Sequence, residues 1–214
     1  MAIVGVSWDA WQMECCGDPF RVGHRVEWSL HLIPRGTAIP ESAHTTFTAD
    51  VVRMPMQEKP EGWQPQGDEV APDPNWYGVS NGDLHALWCT ESEPLGDATA
   101  GRIEVSGLLY EDHHAMAAVK TVGIVRRIWV ESFRLRSRGE RSKAFDRVPS
   151  TRSLYAVNSS PKWFAINRDP DPDGFVDETG EFVSRSHTDE TGMFVQLTVA
   201  TELPVSPPSA DRRS

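Results

Sequence analysis

From Arg25 to Leu32 the chain alternates over eight residues: Val26, Trp28, Leu30 and Leu32 are apolar, while Arg25, Glu27, Ser29 and His31 are polar. A side-chain period of two belongs to a β-strand with one buried face. Turn chemistry precedes it, in Gly17-Asp18-Pro19 and Val22-Gly23. A segment of this kind must find a sheet in which to bury its tryptophan and leucines, so it constrains the fold more than any other stretch.

Similar runs recur between turn signals. Ile3 to Trp8 is apolar on both faces, and Thr45 to Met54 places Thr45, Phe47, Ala49 and Val51 on one side. Leu84 to Cys89 reads as a short strand, and Arg102 to Tyr110 carries Ile103, Val105 and Leu109 together. Thr121 to Leu135 is the longest run and is apolar on both faces, which places it at a sheet centre or across a barrel corner. Leu154 to Val157 and Met193 to Ala200 complete the set. Only Glu111 to Lys120 reads as helical, through its alanines. The expectation is a mainly β chain, a small barrel or sandwich of about seven to nine strands with at most one short helix.

With 214 residues the chain is long enough to bury a core without disulfide staples. One β-rich domain is expected over residues 1–202. Within it, residues 56–83 form a loop rich in proline, glycine and tryptophan, a length that in a compact domain points to function or disorder. The tail, residues 203–214, holds too little apolar surface to order itself. A net charge of −10 and a pI of about 5.1 argue against nucleic acid and anionic membranes as partners. No apolar run reaches a membrane span. Three cysteines, two of them adjacent, make a poor disulfide framework, and the start carries no secretory pattern, so the cytoplasm is the expected compartment.

Candidate sites are few. Trp63 and Trp76, read as loop residues, could stack on a ligand. Arg126 to Arg147 holds eight basic residues against three acidic ones. In it Arg134, Arg136 and Arg138 alternate, so that an extended chain would present three guanidinium groups on one face to an anionic ligand or a protein partner. Cys15, Cys16, Cys89, His113 and His114 are zinc-type ligands without C-x-x-C spacing, and in an extended chain adjacent residues point opposite ways. Their plainer reading is buried thiols and a loop histidine pair. Glu111-Asp112-His113-His114 could also pair a carboxylate with an imidazole for acid–base work. Asp169, Asp171, Asp173 and Asp177, with Gly174, match the start of a calcium loop, but Gly180 stands where the bidentate glutamate belongs and Pro170 and Pro172 stiffen the chain. An acidic turn is the expected role. The chain has no Walker motif, no G-x-G-x-x-G and no G-x-S-x-G.

The run W-Q-M-E-C-C-G-D-P-F-x-V-G-x-x-V-x-W, from Trp11 to Trp28, resembles a family of actinobacterial proteins of unknown function. Gly107 to His114, Thr121 to Ile128, Ser159 to Phe164 and Glu190 to Leu197 are similar to later parts of that family. The resemblance implies one unit rather than two domains, and no substrate or catalytic residue. The reading is a non-catalytic binding or protein-interaction module without a cofactor. The alternative is a zinc-stabilised or metal-dependent enzyme.

Overall fold

The computed structural model describes residues 1–34, 43–54, 75–90, 92–111, 119–138, 145–167, 175–176, 182–183 and 186–206. In chain order the elements are β1 (Ala2–Asp9), α1 (Ala10–Cys15), β2 (Arg25–Trp28), β3 (Leu30–Pro34), β4 (Thr45–Arg53), β5 (Asn75–Asn81), β6 (Leu84–Thr90) and β7 (Ala100–Glu111). They continue with β8 (Thr121–Ser137), β9 (Phe145–Arg147), a 3-10 turn (Pro149–Thr151), β10 (Ser153–Val157) and β11 (Ile166–Asn167). The last are β12 (Phe175–Val176), β13 (Phe182–Val183), β14 (Ser186–Val199) and β15 (Val205–Ser206). The chain is mainly β, as the alternation predicts. Among the described residues nine strands have five residues or more and the other six are shorter.

Five strands close a barrel in the order β7-β3-β6-β5-β4, with β4 pairing back onto β7. All its neighbours are antiparallel except β3 and β6, where His31 lies opposite Leu87. From the C-terminal half of β7 the sheet continues outward through β1 to β14, β8 and β10. The single strand expected from the alternation of Val26, Trp28, Leu30 and Leu32 is therefore two strands. β2 pairs with β8, Trp28 opposite Thr121, and after Ser29 the chain joins β7, Leu30 opposite Glu111. The side-chain period survives the corner because Trp28, Leu30 and Leu32 all point into one core.

Two glycines permit close crossings. β7 changes partner at Gly107, which pairs with Pro34 and Thr45, and a Cβ there would lie 2.3 Å from the Ile33 carbonyl oxygen. At Gly192, beside the bulge that leaves Thr191 without a partner in β8, a Cβ would meet the Trp8 carbonyl oxygen at 1.9 Å. Any side chain at either position forces the strands apart.

Elsewhere the structure departs from the alternation. Among the described residues the one α-helix is α1, whose six residues bury Gln12 and Met13. The helix expected over 111–120 does not begin at Glu111, which ends β7, and residues 112–118 lie outside the described ones. The loop expected over 56–83 ends earlier, since β5 already starts at Asn75. β14 begins at Ser186, seven residues before the expected start at Met193. The tail from Leu203 was expected to be unpaired, yet Val205 pairs with Phe47. Asn81 explains the difference. It is buried; its Oδ1 accepts from the amides of Glu202 and Leu203, and its Nδ2 donates to the carbonyls of Thr48 and Leu203. One amide side chain thus satisfies the backbone that brings β15 onto β4.

At the junction of barrel and outer sheet, Trp8, Phe20 and Trp28 form a closed aromatic trio. Their ring centroids are 5.8 Å (Trp8–Phe20), 5.2 Å (Trp8–Trp28) and 5.1 Å (Phe20–Trp28) apart, and all three residues are buried. Ser160 fixes Phe20 in place: its Oγ accepts from the Phe20 amide, and its own amide donates to the Phe20 carbonyl. Trp28→Ala is expected to destabilise the fold by about 3–5 kcal/mol, whereas the exposed neighbour Glu27→Ala changes it by less than about 0.5 kcal/mol. Urea denaturation of the two variants checks this, and equal losses would contradict the core assignment.

Candidate functional site

β8 has two faces with different fates. From Ile128 onward its even-numbered residues point to the main core: Ile128 and Val130 are buried there. Beyond Ser132 the core ends, while pairing to β14 continues to Arg136 opposite Ser186. The same face then carries Arg134, Arg136 and Arg138, all exposed. Alternate residues of a strand stand about 6.8 Å apart, so the three guanidinium groups form a row. Ser186 and Thr188 of β14 lie directly opposite Arg136 and Arg134 and share this face. Arg134 Nε donates to Ser186 Oγ at 2.6 Å, and Arg138 Nε to Asp146 Oδ1 at 2.8 Å. Both partners of the Arg138–Asp146 pair are 61% exposed, so water competes for it and it is readily exchanged.

The row is bounded on the core side by Tyr155 and Glu190. The Tyr155 hydroxyl donates to Glu190 Oε1, and the other carboxylate oxygen accepts from the Ala165 amide at 2.6 Å. Loss of water around the hydroxyl, then the Glu190 hydrogen bond and charge, push the phenol up to about 12. It stays a neutral donor at pH 7.

On the opposite face, charges are paired and covered. Glu131 is almost fully buried and accepts from Arg152 Nε at 2.5 Å, and the Arg152 guanidinium lies 5.3 Å from the Phe194 ring centroid. Two strands away, Asp9 accepts from Tyr110 at 2.8 Å and from Arg147 at 2.7 Å, while Arg147 lies over the Phe133 ring. Gly192 sits between them in the sheet, opposite Asp9 on one side and Glu131 on the other. His187 Nε2 is 3.0 Å from Asp189 Oδ2, and its ring packs edge-on against Phe145. The Asp9–Arg147 and Glu131–Arg152 pairs join residues 138 and 21 positions apart, so no local motif in the sequence marks them.

A second concave feature lies on the outside of the barrel. Val52, Met54, Gly78, Ser80, His85, Leu87 and Val119 surround a cavity of about 220 Å³. Register places Asp50, Ser80 and His85 in one row across β4, β5 and β6, and Val52, Gly78 and Leu87 in the next. Burial lowers the His85 imidazole below its ordinary value against the pull of Asp83. Asp50 is held low by its hydrogen bonds from Arg102, at 2.8 and 3.0 Å.

The remaining expected site residues do not gather. Trp76 lies on β5 rather than in a loop, opposite Cys89, with its ring 5.9 Å from His31. Cys15 and Cys16 lie together at the end of α1, which packs on β1 and β14, while Cys89 stands apart from them on β6 of the barrel. The adjacent pair does not diverge as an extended chain would make it. Both are exposed, where buried thiols were expected, and the neighbouring Cys15 thiol raises the Cys16 thiol above its ordinary value. Among the described residues no group of three or more His, Cys, Asp or Glu side chains could hold a metal ion. Trp63, His113, His114, Asp169, Asp171, Asp173 and Asp177 lie outside the described residues. Next to the acidic stretch, Phe175–Val176 and Phe182–Val183 pair as a short antiparallel hairpin. No helix among the described residues is long and apolar enough to cross a membrane.

A family model described as a family of unknown function, DUF6578, matches residues 2–199, and the chain belongs to that family. No curated protein and no solved structure matches it.

The buried Glu131–Arg152 pair gives a direct test of the covered face. Arg152→Ala is expected to cost about 3–5 kcal/mol, because it leaves a desolvated carboxylate alone. Adding Glu131→Leu should recover most of that loss. A urea midpoint for Arg152→Ala within error of the wild type would contradict the pairing.

Proposed function

As the family's description assigns no activity, we propose from the chain's own geometry that it is a non-catalytic binding module whose arginine row docks an extended acidic segment of a partner protein. The observation that carries this reading is the change of character along one strand face, from the buried Ile128 and Val130 to the exposed Arg134, Arg136 and Arg138. An extended peptide also repeats its side chains at about 6.8 Å, so acids at every second position meet the row in register. Arginine forks suit carboxylates, each able to bind with two parallel hydrogen bonds. The Ser186 and Thr188 hydroxyls line the same face and supply neutral donors beside the row. The chain's net negative charge supports a local mode of recognition over general attraction to polyanions. The reading includes a cytoplasmic, actinobacterial setting. An odd number of cysteines, two of them adjacent, supports the reducing compartment, and the Trp11 to Trp28 motif supports the source.

The test uses a fluorescein-labelled peptide of alternating glutamate and serine, followed by anisotropy. The wild type should bind it, and Arg134→Ala/Arg136→Ala/Arg138→Ala should weaken binding at least about tenfold, near 1.4 kcal/mol. Binding should fall as salt rises, because exposed charges are screened over about 8 Å at physiological ionic strength. Equal affinity in wild type and triple variant would overturn the reading.

A further inference from the structure

The cavity on the outer face of the barrel lies on β4, β5 and β6, separate from β8 and β14, which carry the arginine row. Its floor is Gly78. On either side, across the sheet, stand Val52 and Leu87, with Met54 and Val119 closing the rim. Val52 and Val119 are 49% and 53% exposed, so apolar surface faces the opening rather than the core. A strand residue with a side chain would stand where Gly78 leaves space: a Cβ there would meet Met54 Sδ at 3.5 Å, an ordinary contact, and nothing nearer.

The polar end of the cavity is formed by Ser80 and His85, directly opposite each other in the β5–β6 ladder. The His85 backbone is fixed. Its amide donates to Thr121 Oγ1 at 2.8 Å, and its carbonyl accepts from the same hydroxyl at 2.6 Å. Thr121 is fully buried, so this pair of hydrogen bonds anchors His85 to the start of β8. A neutral imidazole can donate and accept at once. Beyond Ser80, the Asp50 carboxylate is already engaged by both nitrogens of the Arg102 fork. The polar end therefore offers hydrogen bonds, with Asp50 compensated by Arg102 and Asp83 the carboxylate whose charge still reaches His85.

We propose that this cavity binds a small uncharged molecule with an apolar body and one hydrogen-bonding group, the body lying over Val52, Gly78 and Leu87 and the polar group meeting His85 and Ser80. The volume of about 220 Å³ sets the size. A dry apolar cavity of about 150 Å³ holds benzene, so this one takes roughly ten non-hydrogen atoms. The apolar walls favour an uncharged body, since an ion set against Val52, Leu87 and Met54 would give up part of its hydration without a partner.

Indole has the required size and a single N–H, and serves as the probe. Titrated into the full chain and followed by NMR, it should shift the amides of Gly78 and Ser80 and the ring protons of His85. Indane, which has the same shape without the N–H, should bind about fivefold or more weakly, the worth of one hydrogen bond. Gly78→Leu should abolish the shifts by filling the floor, with its thermal unfolding confirming a folded chain. His85→Phe, which keeps the wall and removes the polar contact, should make indole and indane bind alike. The triple arginine variant should bind indole as the wild type does, which separates this site from peptide docking. The proposal is overturned if indole leaves the three cavity residues unshifted, or if folded Gly78→Leu binds it with unchanged affinity.

Discussion

The antiparallel ladder between β8 and β14 organises this molecule. It runs from Gly123 opposite Val199 to Arg136 opposite Ser186. Five outer strands attach to its two free edges. β2, β10 and β9 line the far edge of β8 in succession, while β1 and β11 line the far edge of β14. Through β1 the ladder joins the barrel at β7, where Val6 pairs with Leu109. The ladder is longer than the core it covers, and this mismatch in length creates the overhang on which the arginines stand.

Burial on the two faces follows from that geometry. On the core face, Val4, Val6, Trp8, Ile128, Val130, Met193 and Val195 pack together with the barrel interior. On the other face the cover is a smaller cluster of Ala43, Leu108 and Phe194 with Ile33 and Trp129 at its margin. Around it, Arg147 and Arg152 spread over Phe133 and Phe194 and take the Asp9 and Glu131 carboxylates as partners. Long arginine stems thus do part of the covering that apolar side chains do on the core face. Their charges are internally answered, in contrast to the arginine row, whose contacts are exposed.

Much of the strand content was legible because period-two alternation is local. β1, β4, β6, β7 and β8 follow the sequence within a few residues, and Thr45, Phe47, Ala49 and Val51 share the buried face that their spacing implies. The corner at Ser29 was not legible, since Trp28 and Leu30 keep the same period while changing sheets. Nor was β5: proline and glycine before Asn75 read as loop, and Trp76 and Tyr77 gained their strand from β4 and β6 on either side. β15 depends on Asn81, 122 residues away from Leu203. Of the surfaces, the alternating arginines could be read directly, whereas the outer cavity joins residues from three strands and a neighbouring segment and has no sequence signal.

The claim that one ladder both spans the core and projects beyond it is tested most directly by native-state hydrogen exchange along β8. The account predicts that the amides of Val125, Ile128 and Val130 exchange only through global unfolding. Protection should then fall steadily from Phe133 to Ser137, because the hydrogen bonds continue while the packing on the arginine face stops. Uniform protection along the whole strand, or exchange at Ile128 and Val130 ahead of the barrel strands β4 and β5, would contradict it.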